Sequence, residues 1–208
     1  MGDAASNTSP FIMWGVAEHA IPGETESGDQ YLVESFEDGV MVSVVDGLGH
    51  GPQAFAVAKK TVEALQGHAS EPVDTLIQRC HKALRRTRGV VMSLAAFNAR
   101  KHVMTWVGIG NVRGVLLHTD PTKNPARESL LLRGGVVGYN LPTPRVVTLP
   151  VTQGDTLIFA TDGIRSGFAT EVVLSDSPQN MADRILENYG RGTDDTLVLV
   201  VRYLGHQD

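Results

Sequence analysis

The chain has 208 residues, 42% of them hydrophobic and 20% charged, a composition that suits one domain with a real core and excludes global disorder. Its 18 Lys and Arg against 23 Asp and Glu give a net charge of −5, which disfavours tight binding to nucleic acid or to anionic membranes. The single cysteine, Cys80, excludes an intramolecular disulfide and a cysteine-based zinc site, so nothing indicates an oxidising compartment.

We find no secretory signal and no apolar run near the roughly 20 residues that cross a bilayer. The expected organisation is therefore a flexible leader at residues 1–10, followed by a single domain at residues 11–208. We expect the protein to be cytoplasmic, with neither nucleic acid nor a membrane among its partners.

Apolar patterning predicts strands first and then two helices. Strands are expected at residues 11–17, 31–36 and 40–45, the last two joined by Glu37-Asp38-Gly39, which is typical of a hairpin turn. Helical spacing of apolar residues then predicts one helix at residues 52–68 and a second helix after Pro72. The second helix has a basic face that includes Arg79, Lys82, Arg85 and Arg86. That face is either a docking patch for an acidic partner or, the interpretation we favour from sequence, a solvated helix surface.

The second half of the chain is richer in strands. A meander is predicted at residues 91–98, 102–109 and 112–118, a loop at residues 121–128, and short strands at residues 129–132 and 145–149. A strongly apolar strand at residues 155–161, a helix at 178–189 and a strand at 196–203 complete the chain. Strands and helices occur in blocks instead of alternating, which favours an α+β fold.

Aspartates lie at the ends of several apolar strands. Asp46-Gly47 and Asp162-Gly163 each follow a strand, Asp194-Asp195 precedes the last strand, and Asp29 lies just before residue 31. An Asp-Gly pair alone is usually a turn. Several such carboxylates together are costly to bury, however, and no string of basic residues stands beside them, whereas a divalent cation can neutralise them. Oxygen ligands without thiolates favour Mg²⁺ or Mn²⁺ over Zn²⁺.

The segment Asp46-Gly47-Leu48-Gly49-His50-Gly51 has three glycines between a strand and a helix. Its backbone must therefore come close to another group. It could cradle a phosphate at a helix N-terminus, but it lacks the ending of a P-loop and the spacing of a dinucleotide fingerprint. A backbone carbonyl that reaches a metal fits better, since Asp46 is adjacent.

Together these motifs resemble the metal-dependent Ser/Thr protein phosphatases (the PPM family), in the bacterial branch that contains SpoIIE, RsbU and RsbX. The domain is expected to fill the whole chain, as it does in RsbX. Segments 46–51, 161–164 and 194–198 are similar to the branch's Asp-Gly-Leu/Met-Gly-x-Gly, Asp-Gly and Asp-Asp-x-Thr motifs, the last with one residue fewer between the acid pair and the threonine. Segment 110–114 resembles the family's Gly-Asp-Ser-Arg segment. The implied fold is a four-layer α-β-β-α sandwich of two mixed, mainly antiparallel sheets. Helix 52–68 and the next helix would cover one sheet, and helix 178–189 the other.

The resemblance also implies a site for two Mn²⁺ or Mg²⁺ ions. Asp46 would bridge them, the Gly47 carbonyl would bind the second, and Asp162 and Asp194 would bind the first. Asp29 would act on the second ion, directly or through water. Asp46 and Asp162 are thus the expected catalytic residues. Asp195 is the less favoured ligand of its pair, because the family often has Asn there.

Departures from the family's pattern concern the residues around this site. Leu48 stands where eukaryotic members have a histidine that is a proposed general acid; His50 lies two residues further on, and a structural role is favoured for it. Asn111 stands where many members have an aspartate for a third metal. No arginine closely precedes Asp29, so phosphate binding would depend on the metals, and surface contacts would supply specificity.

The resemblance predicts a phosphoserine/phosphothreonine protein phosphatase. Its expected partner is a phosphorylated STAS-domain protein of a stressosome or partner-switching pathway. Two alternatives stay open: a catalytically weak PPM-like protein that acts by binding a partner, and an unrelated metal-dependent phosphodiesterase or nuclease. The acidic net charge speaks against the second of these.

Overall fold

The structure is a computed structural model that describes residues 7–120 and 122–205. Within these residues the chain forms two antiparallel sheets and three helices. The strands are β1 (Asn7–Thr8), β2 (Ile12–His19), β3 (Asp29–Phe36), β4 (Gly39–Gly47), β5 (Val90–Asn98), β6 (Val103–Ile109), β7 (Arg113–Leu117), β8 (Arg127–Ser129), β9 (Val147–Pro150), β10 (Thr156–Ala160) and β11 (Thr196–Tyr203). The helices are α1 (Pro52–Leu65), α2 (Val73–Ala83) and α3 (Pro178–Tyr189).

One sheet has the strand order β1-β2-β11-β10-β7-β8, and the other has the order β3-β4-β5-β6-β9. Every pairing among these strands is antiparallel. The mixed sheets that the resemblance implied are thus antiparallel throughout their described strands, apart from an isolated parallel bridge between Ile109 and Arg133. Direct hairpins such as β3–β4 and β5–β6 explain this, because parallel neighbours would need long crossover connections.

Three hydrophobic clusters define four layers. The central cluster lies between the sheets and contains Trp106, Phe159 and the stacked rings of Phe97 and Tyr203, whose centroids are 5.8 Å apart. A second cluster joins α1 and α2 to the β3–β9 sheet, and a third joins α3 to the other sheet. The α+β, α-β-β-α sandwich is therefore confirmed, including the sheet that each predicted helix covers.

Helix α3 approaches the first sheet very closely. A Cβ atom on Gly15 of β2 would overlap the backbone of Gln179, so only glycine fits there. The Gln179 side chain also accepts a hydrogen bond from the Val16 N–H at 3.1 Å and donates to the Val16 carbonyl at 2.8 Å. The Ser177 hydroxyl caps the helix by accepting from the Asn180 N–H, which fixes where α3 begins.

The predicted elements mostly lie where the sequence placed them, and the differences have local causes. Helix α1 ends at Leu65 instead of residue 68, because Gly67 adopts a positive φ of 77°. The loop predicted at residues 121–128 was wrong for its last two residues, since Arg127–Ser129 pairs with β7 as an edge strand. Residues 1–6 of the expected leader lie outside the described residues, and Asn7–Thr8 pairs with β2.

Cys80 is fully buried in the cluster beneath α2. Burial raises the pKa of its thiol to about 12, so the thiolate is absent near neutral pH and the residue is a packing group. No helix in the described ranges is long and apolar enough to span a membrane.

Candidate active site

Two carboxylates face each other at one end of the β3–β9 sheet. Asp29 opens β3 and Asp46 lies next to the end of β4, and the antiparallel register places these two residues directly opposite one another. Directly opposed residues in such a ladder have Cβ atoms about 5 Å apart. The hairpin therefore brings together two of the acids that the sequence analysis selected.

The other sheet brings its acids to the same region. Asp162 lies two residues beyond the end of β10, and Asp194 lies two residues before β11, which is the antiparallel neighbour of β10. Since the end of one antiparallel strand meets the start of the next, both side chains lie at the same edge. Their charges interact with that of Asp46 on the facing sheet, so the four selected aspartates converge between the sheets.

Burial, together with the convergence of negative charge, raises the pKa values of Asp29, Asp46 and Asp194. Burial and the charges of Asp162, Asp194 and Asp195 raise the pKa of Asp46 to about 7. Burial and then the neighbouring Asp46 raise the pKa of Asp29 well above its usual value. Burial is also the main cause of the raised pKa of Asp194. Without a cation, the cluster thus favours carrying protons over full ionisation.

Asp29 and Asp195 are both buried, yet their hydrogen bonding differs. The Asp29 side chain leaves its Oδ2 atom without a hydrogen-bond partner. In Asp195, Oδ1 accepts from the Ile21 N–H at 2.8 Å and Oδ2 accepts from the Gly28 N–H at 2.7 Å. Asp195 therefore ties the segment before β3 to the start of β11, a role that sequence analysis missed.

The glycine-rich loop presents its backbone to this cluster. The Gly47 N–H donates to the Gly28 carbonyl at 3.0 Å, and the Leu48 N–H donates to the Gly89 carbonyl at 3.3 Å. Because a trans peptide directs its C=O away from its N–H, the second bond orients the Gly47 carbonyl away from Gly89. That carbonyl oxygen lies 3.4 Å from the position a Cβ of Gly28 would take, next to the Asp195 carboxylate.

The loop that carries Asp162 is held by two residues of the β6–β7 turn. The Asn111 side-chain amide donates to Asp162 Oδ2 at 2.7 Å. The Arg113 guanidinium lies over the Phe168 ring and donates to the carbonyl oxygens of Thr161, at 3.3 Å, and of Ile164. The role of Arg113 was not foreseen, although its place in the Gly110–Gly114 motif was a signal that this segment approaches the site.

His50 lies at the rim of the cluster. Its side chain is 65% exposed, and its Nδ1 atom lies 3.2 Å from Glu24 Oε1. The same Glu24 carboxylate lies where a side chain on Gly51, the residue before α1, would point: a Cβ there would be 2.9 Å from Glu24 Oε1. His50 is close enough for its charge to lower the pKa of Asp194, although burial raises that pKa more strongly. The histidine is thus fixed at the start of α1 and faces the site.

The donor set fits a hard divalent cation. All the side chains that converge here present oxygen atoms, the ligands that Mg²⁺ and Mn²⁺ prefer. Asp29 Oδ2 is buried and unpartnered, which is costly unless a cation or a proton compensates it. Over residues 7–120 and 122–205, however, no three His, Cys, Asp or Glu side chains form a ready-made metal cage. The arrangement therefore supplies suitable ligands that a cation would have to draw together.

Comparison of the sequence with known families and proteins identifies relatives of this chain. The family model described as Stage II sporulation protein E (SpoIIE) matches residues 37–204. The phosphoserine phosphatase RsbX of Bacillus subtilis (strain 168) is 27% identical over 144 residues, which are 68% of this chain and 69% of that protein. The family match includes the loop after β4 and the acids next to β10 and β11.

Solved structures show the same fold. A chain from a structure of the bacterial stressosome, described as a modular system adapted to control secondary messenger signalling, superposes with a TM-score of 0.83 at 28% identity, covering 92% of this chain and 99% of that one. RsbX in complex with magnesium gives 0.84 at 21% identity, covering 95% and 98%. The PP2C phosphatase domain of SpoIIE from Bacillus subtilis, solved with a fragment of its regulatory domain, gives 0.76 at 20% identity, covering 95% and 64%.

Proposed function

We propose, from the premise that this chain belongs to the SpoIIE family and so to the PPM-type protein serine/threonine phosphatases, that it hydrolyses phosphoserine or phosphothreonine in a protein with the help of two Mn²⁺ or Mg²⁺ ions. The observation that carries the proposal is the convergence of aspartates from both sheets around the unpartnered Oδ2 of Asp29.

The proposed ligand assignment is the one that the family resemblance implies, and this convergence of aspartates supports it. Asp46 and the Gly47 carbonyl would hold cations together with Asp162, Asp194 and Asp29. When bound, such a pair of ions supplies a water of lowered pKa and offsets the charge on the phosphoryl oxygens. Asp195 is left out of the ligand set, because both of its oxygens already accept backbone hydrogen bonds.

The chain's own residues then shape the site around the reaction. Asn111 and Arg113 hold the Asp162 loop, so the Asp162 carboxylate keeps one orientation. The bond from Leu48 to Gly89 keeps the Gly47 carbonyl turned away from Gly89. Since no cysteine or serine nucleophile is required, water is the nucleophile, and buried Cys80 takes no part.

The proposed substrate is a phosphorylated STAS-domain protein of a stressosome or partner-switching pathway. Support comes from the likeness to RsbX and to a chain of the bacterial stressosome, each at 27–28% identity. We also propose a cytoplasmic location, since the single cysteine gives no indication of an oxidising compartment.

A second candidate is a PPM-like protein that binds its partner with little catalysis. The hydrogen bond from Asn111 occupies one oxygen of Asp162, and the described side chains form no ready-made metal cage. Both observations are compatible with weak metal binding, so the test must separate binding from turnover.

The test is phosphate release from a synthetic phosphoserine peptide in the presence of Mn²⁺. We expect turnover that EDTA abolishes and added Mn²⁺ restores, and a loss of about 100-fold or more in Asp46→Asn or Asp162→Asn, since these substitutions remove ligands of the catalytic ions. Asp183→Asn, an exposed acid on α3, is the matched control and should retain full activity. Peptide binding without Mn²⁺-dependent release would favour the binding protein, and full activity in Asp46→Asn would contradict the metal site.

A further inference from the structure

A group of basic side chains lies exposed at the end of α2 and just beyond it. The group consists of Lys82, Arg85, Arg86 and Arg88. In the part of the chain that the structure describes, none of the four lies within 4.0 Å of a carboxylate, whereas Arg79 on the same helix pairs with Glu71 at 2.6 Å. The chain has a net charge of −5, so a group of four neighbouring cations without carboxylate partners differs in charge from the molecule as a whole. Intramolecular ion pairs do not explain this group.

Arg88, at the end of this basic group, is attached to the loop that follows Asp46. The Arg88 Nη1 atom donates to the Leu48 carbonyl at 2.7 Å, and its Nη2 atom donates to Gln53 in the first turn of α1. The neighbouring Gly89 carbonyl accepts from the Leu48 N–H at 3.3 Å. The positive charges therefore begin at the edge of the candidate active site and extend away from it along residues 82–88.

An exposed tyrosine lies beside the same segment. Tyr139 is 82% exposed, at the tip of a tight turn that starts at Val136. This turn is fixed to the basic segment: Val137 exchanges two backbone hydrogen bonds with Val90, at 3.0 and 2.9 Å, and the Gly138 N–H donates to His81 Nδ1 at 3.0 Å. Tyrosine and arginine are the residue types enriched at protein interfaces, because they supply large contact areas with polar ends.

We propose that Lys82, Arg85, Arg86, Arg88 and Tyr139 form a docking surface for an acidic segment that flanks the phosphorylated residue of the protein substrate. The inference rests on the proposed phosphatase function and names the class of substrate that the site would take. It replaces the solvated-surface interpretation that the sequence alone favoured for the basic face of α2.

Charge and reach both support an acidic occupant. A phosphorylated acidic segment must approach a site dominated by aspartates, and a fixed row of cations beside the site offsets that repulsion. Residues 84–87 form a turn, in which the Thr87 N–H donates to the Leu84 carbonyl at 3.0 Å, so the backbones of Arg85, Arg86 and Arg88 lie close together. Three residues of an extended peptide span about 10 Å, so we expect acidic residues about three positions from the phosphoserine to reach this group.

The test uses two synthetic phosphoserine peptides of equal length, one with glutamates at the flanking positions and one with glutamines there. We expect wild type, at low salt with Mn²⁺, to hydrolyse the glutamate peptide about tenfold more efficiently in kcat/KM, since each exposed pair contributes modestly. Arg85→Gln/Arg86→Gln should remove this preference, because kcat/KM should fall much more for the glutamate peptide than for the glutamine peptide. Lys59→Gln/Lys60→Gln, two exposed lysines of α1, is the matched control and should keep the preference.

Fluorescence anisotropy with the same labelled peptides in EDTA measures binding without turnover. If the docking surface exists, wild type should bind the glutamate peptide more tightly than the glutamine peptide. This difference in affinity should disappear in Arg85→Gln/Arg86→Gln. It should also disappear at high salt, because salt screens interactions between exposed charges. Tyr139→Ala should weaken binding of both peptides, because the ring supplies contact area instead of charge.

The outcomes separate the two proposals. Peptide selectivity in anisotropy without any turnover would support the docking surface and count against the phosphatase. Turnover with the same peptide ratio in wild type and Arg85→Gln/Arg86→Gln would support the phosphatase and overturn the docking surface. Equal anisotropy for both peptides in wild type would also overturn it.

Discussion

The carboxyl group of Asp46 illustrates how one residue combines stability and function. It lies between the two sheets, where burial and three neighbouring aspartates raise its pKa to about 7. A carboxyl in this position destabilises the metal-free fold once it ionises, whereas a bound cation turns the same charge into a source of affinity. The raised pKa therefore fits the proposed role of Asp46 in cation binding better than a role in stabilising the fold.

This leads to a pH-dependent prediction for the metal-free protein. Because the folded chain holds the Asp46 proton more tightly than the unfolded chain, this group favours folding below about pH 4 and loses that contribution as pH rises towards 7. Asp46→Asn cannot ionise, so its advantage in unfolding free energy over wild type should grow between pH 5 and 8, to about 4 kcal/mol at most. Urea denaturation in EDTA measures this difference. A gap between the two proteins that stays constant with pH would show that Asp46 ionises freely.

Helix α3 and strand β2 show how a close approach between elements restricts the sequence. The Gln179 side chain bonds both backbone groups of Val16, and Gly15 leaves room for the helix backbone. The contact fixes α3 on the outer face of the first sheet. In the same sheet, Asp162 follows the end of β10 and Asp194 precedes the start of β11. Helix α3 therefore packs on the sheet whose strands flank Asp162 and Asp194.

Replacing Gly15 tests this contact. In Gly15→Ala the new methyl group would overlap backbone atoms of Gln179, so α3 must move away from β2, and we expect a loss of about 1–3 kcal/mol in unfolding free energy. Gly134→Ala is the control, because nothing lies within 4 Å of its Cβ position. Thermal denaturation of both variants beside wild type gives the comparison. Equal melting temperatures for the three proteins would mean that α3 is not held at this distance.

At the scale of the whole molecule, the two ends of β10 have aspartates in different surroundings, and we propose the chemical role for one end only. Asp162 follows this strand, and Asp155 precedes it. Asp155 is fully buried: its Oδ2 lies 2.9 Å from His118 Nδ1, and its Oδ1 accepts from the Thr119 N–H at 2.9 Å. Unlike Asp29, it leaves no oxygen without a partner in the described residues, so nothing there calls for a metal ion.

Removing Asp155 should therefore affect folding and not activity. We expect Asp155→Ala to lower the unfolding free energy by about 3–5 kcal/mol, because it leaves buried donors unsatisfied, and Asp155→Asn to lower it less. Phosphopeptide turnover per folded molecule of Asp155→Asn should match wild type. A fall in turnover at full folding would contradict the separation of the two ends.

Those parts of the fold and of the candidate site that depend on local patterns could be predicted from the sequence. Asp46-Gly47 and Asp162-Gly163 stand next to apolar strands, so their position at sheet edges could be predicted from neighbouring residues. Two sets of bonds could not be predicted in this way. Asp195 and Gly28 are 167 residues apart in the sequence, and Arg113 and Ile164 are 51 residues apart. Only the pairing of the strands brings these residues together. Edge strand β8 was misplaced for a similar reason, since its pairing with β7 outweighs its loop-like composition.

Calorimetric titration with Mn²⁺ tests most directly whether these aspartates form a cation site. The account predicts saturable heat with two ions bound per wild-type chain, and a loss of binding in Asp46→Asn, the residue expected to contact both ions. An absence of saturable heat in wild type, or an unchanged isotherm in Asp46→Asn, would contradict it.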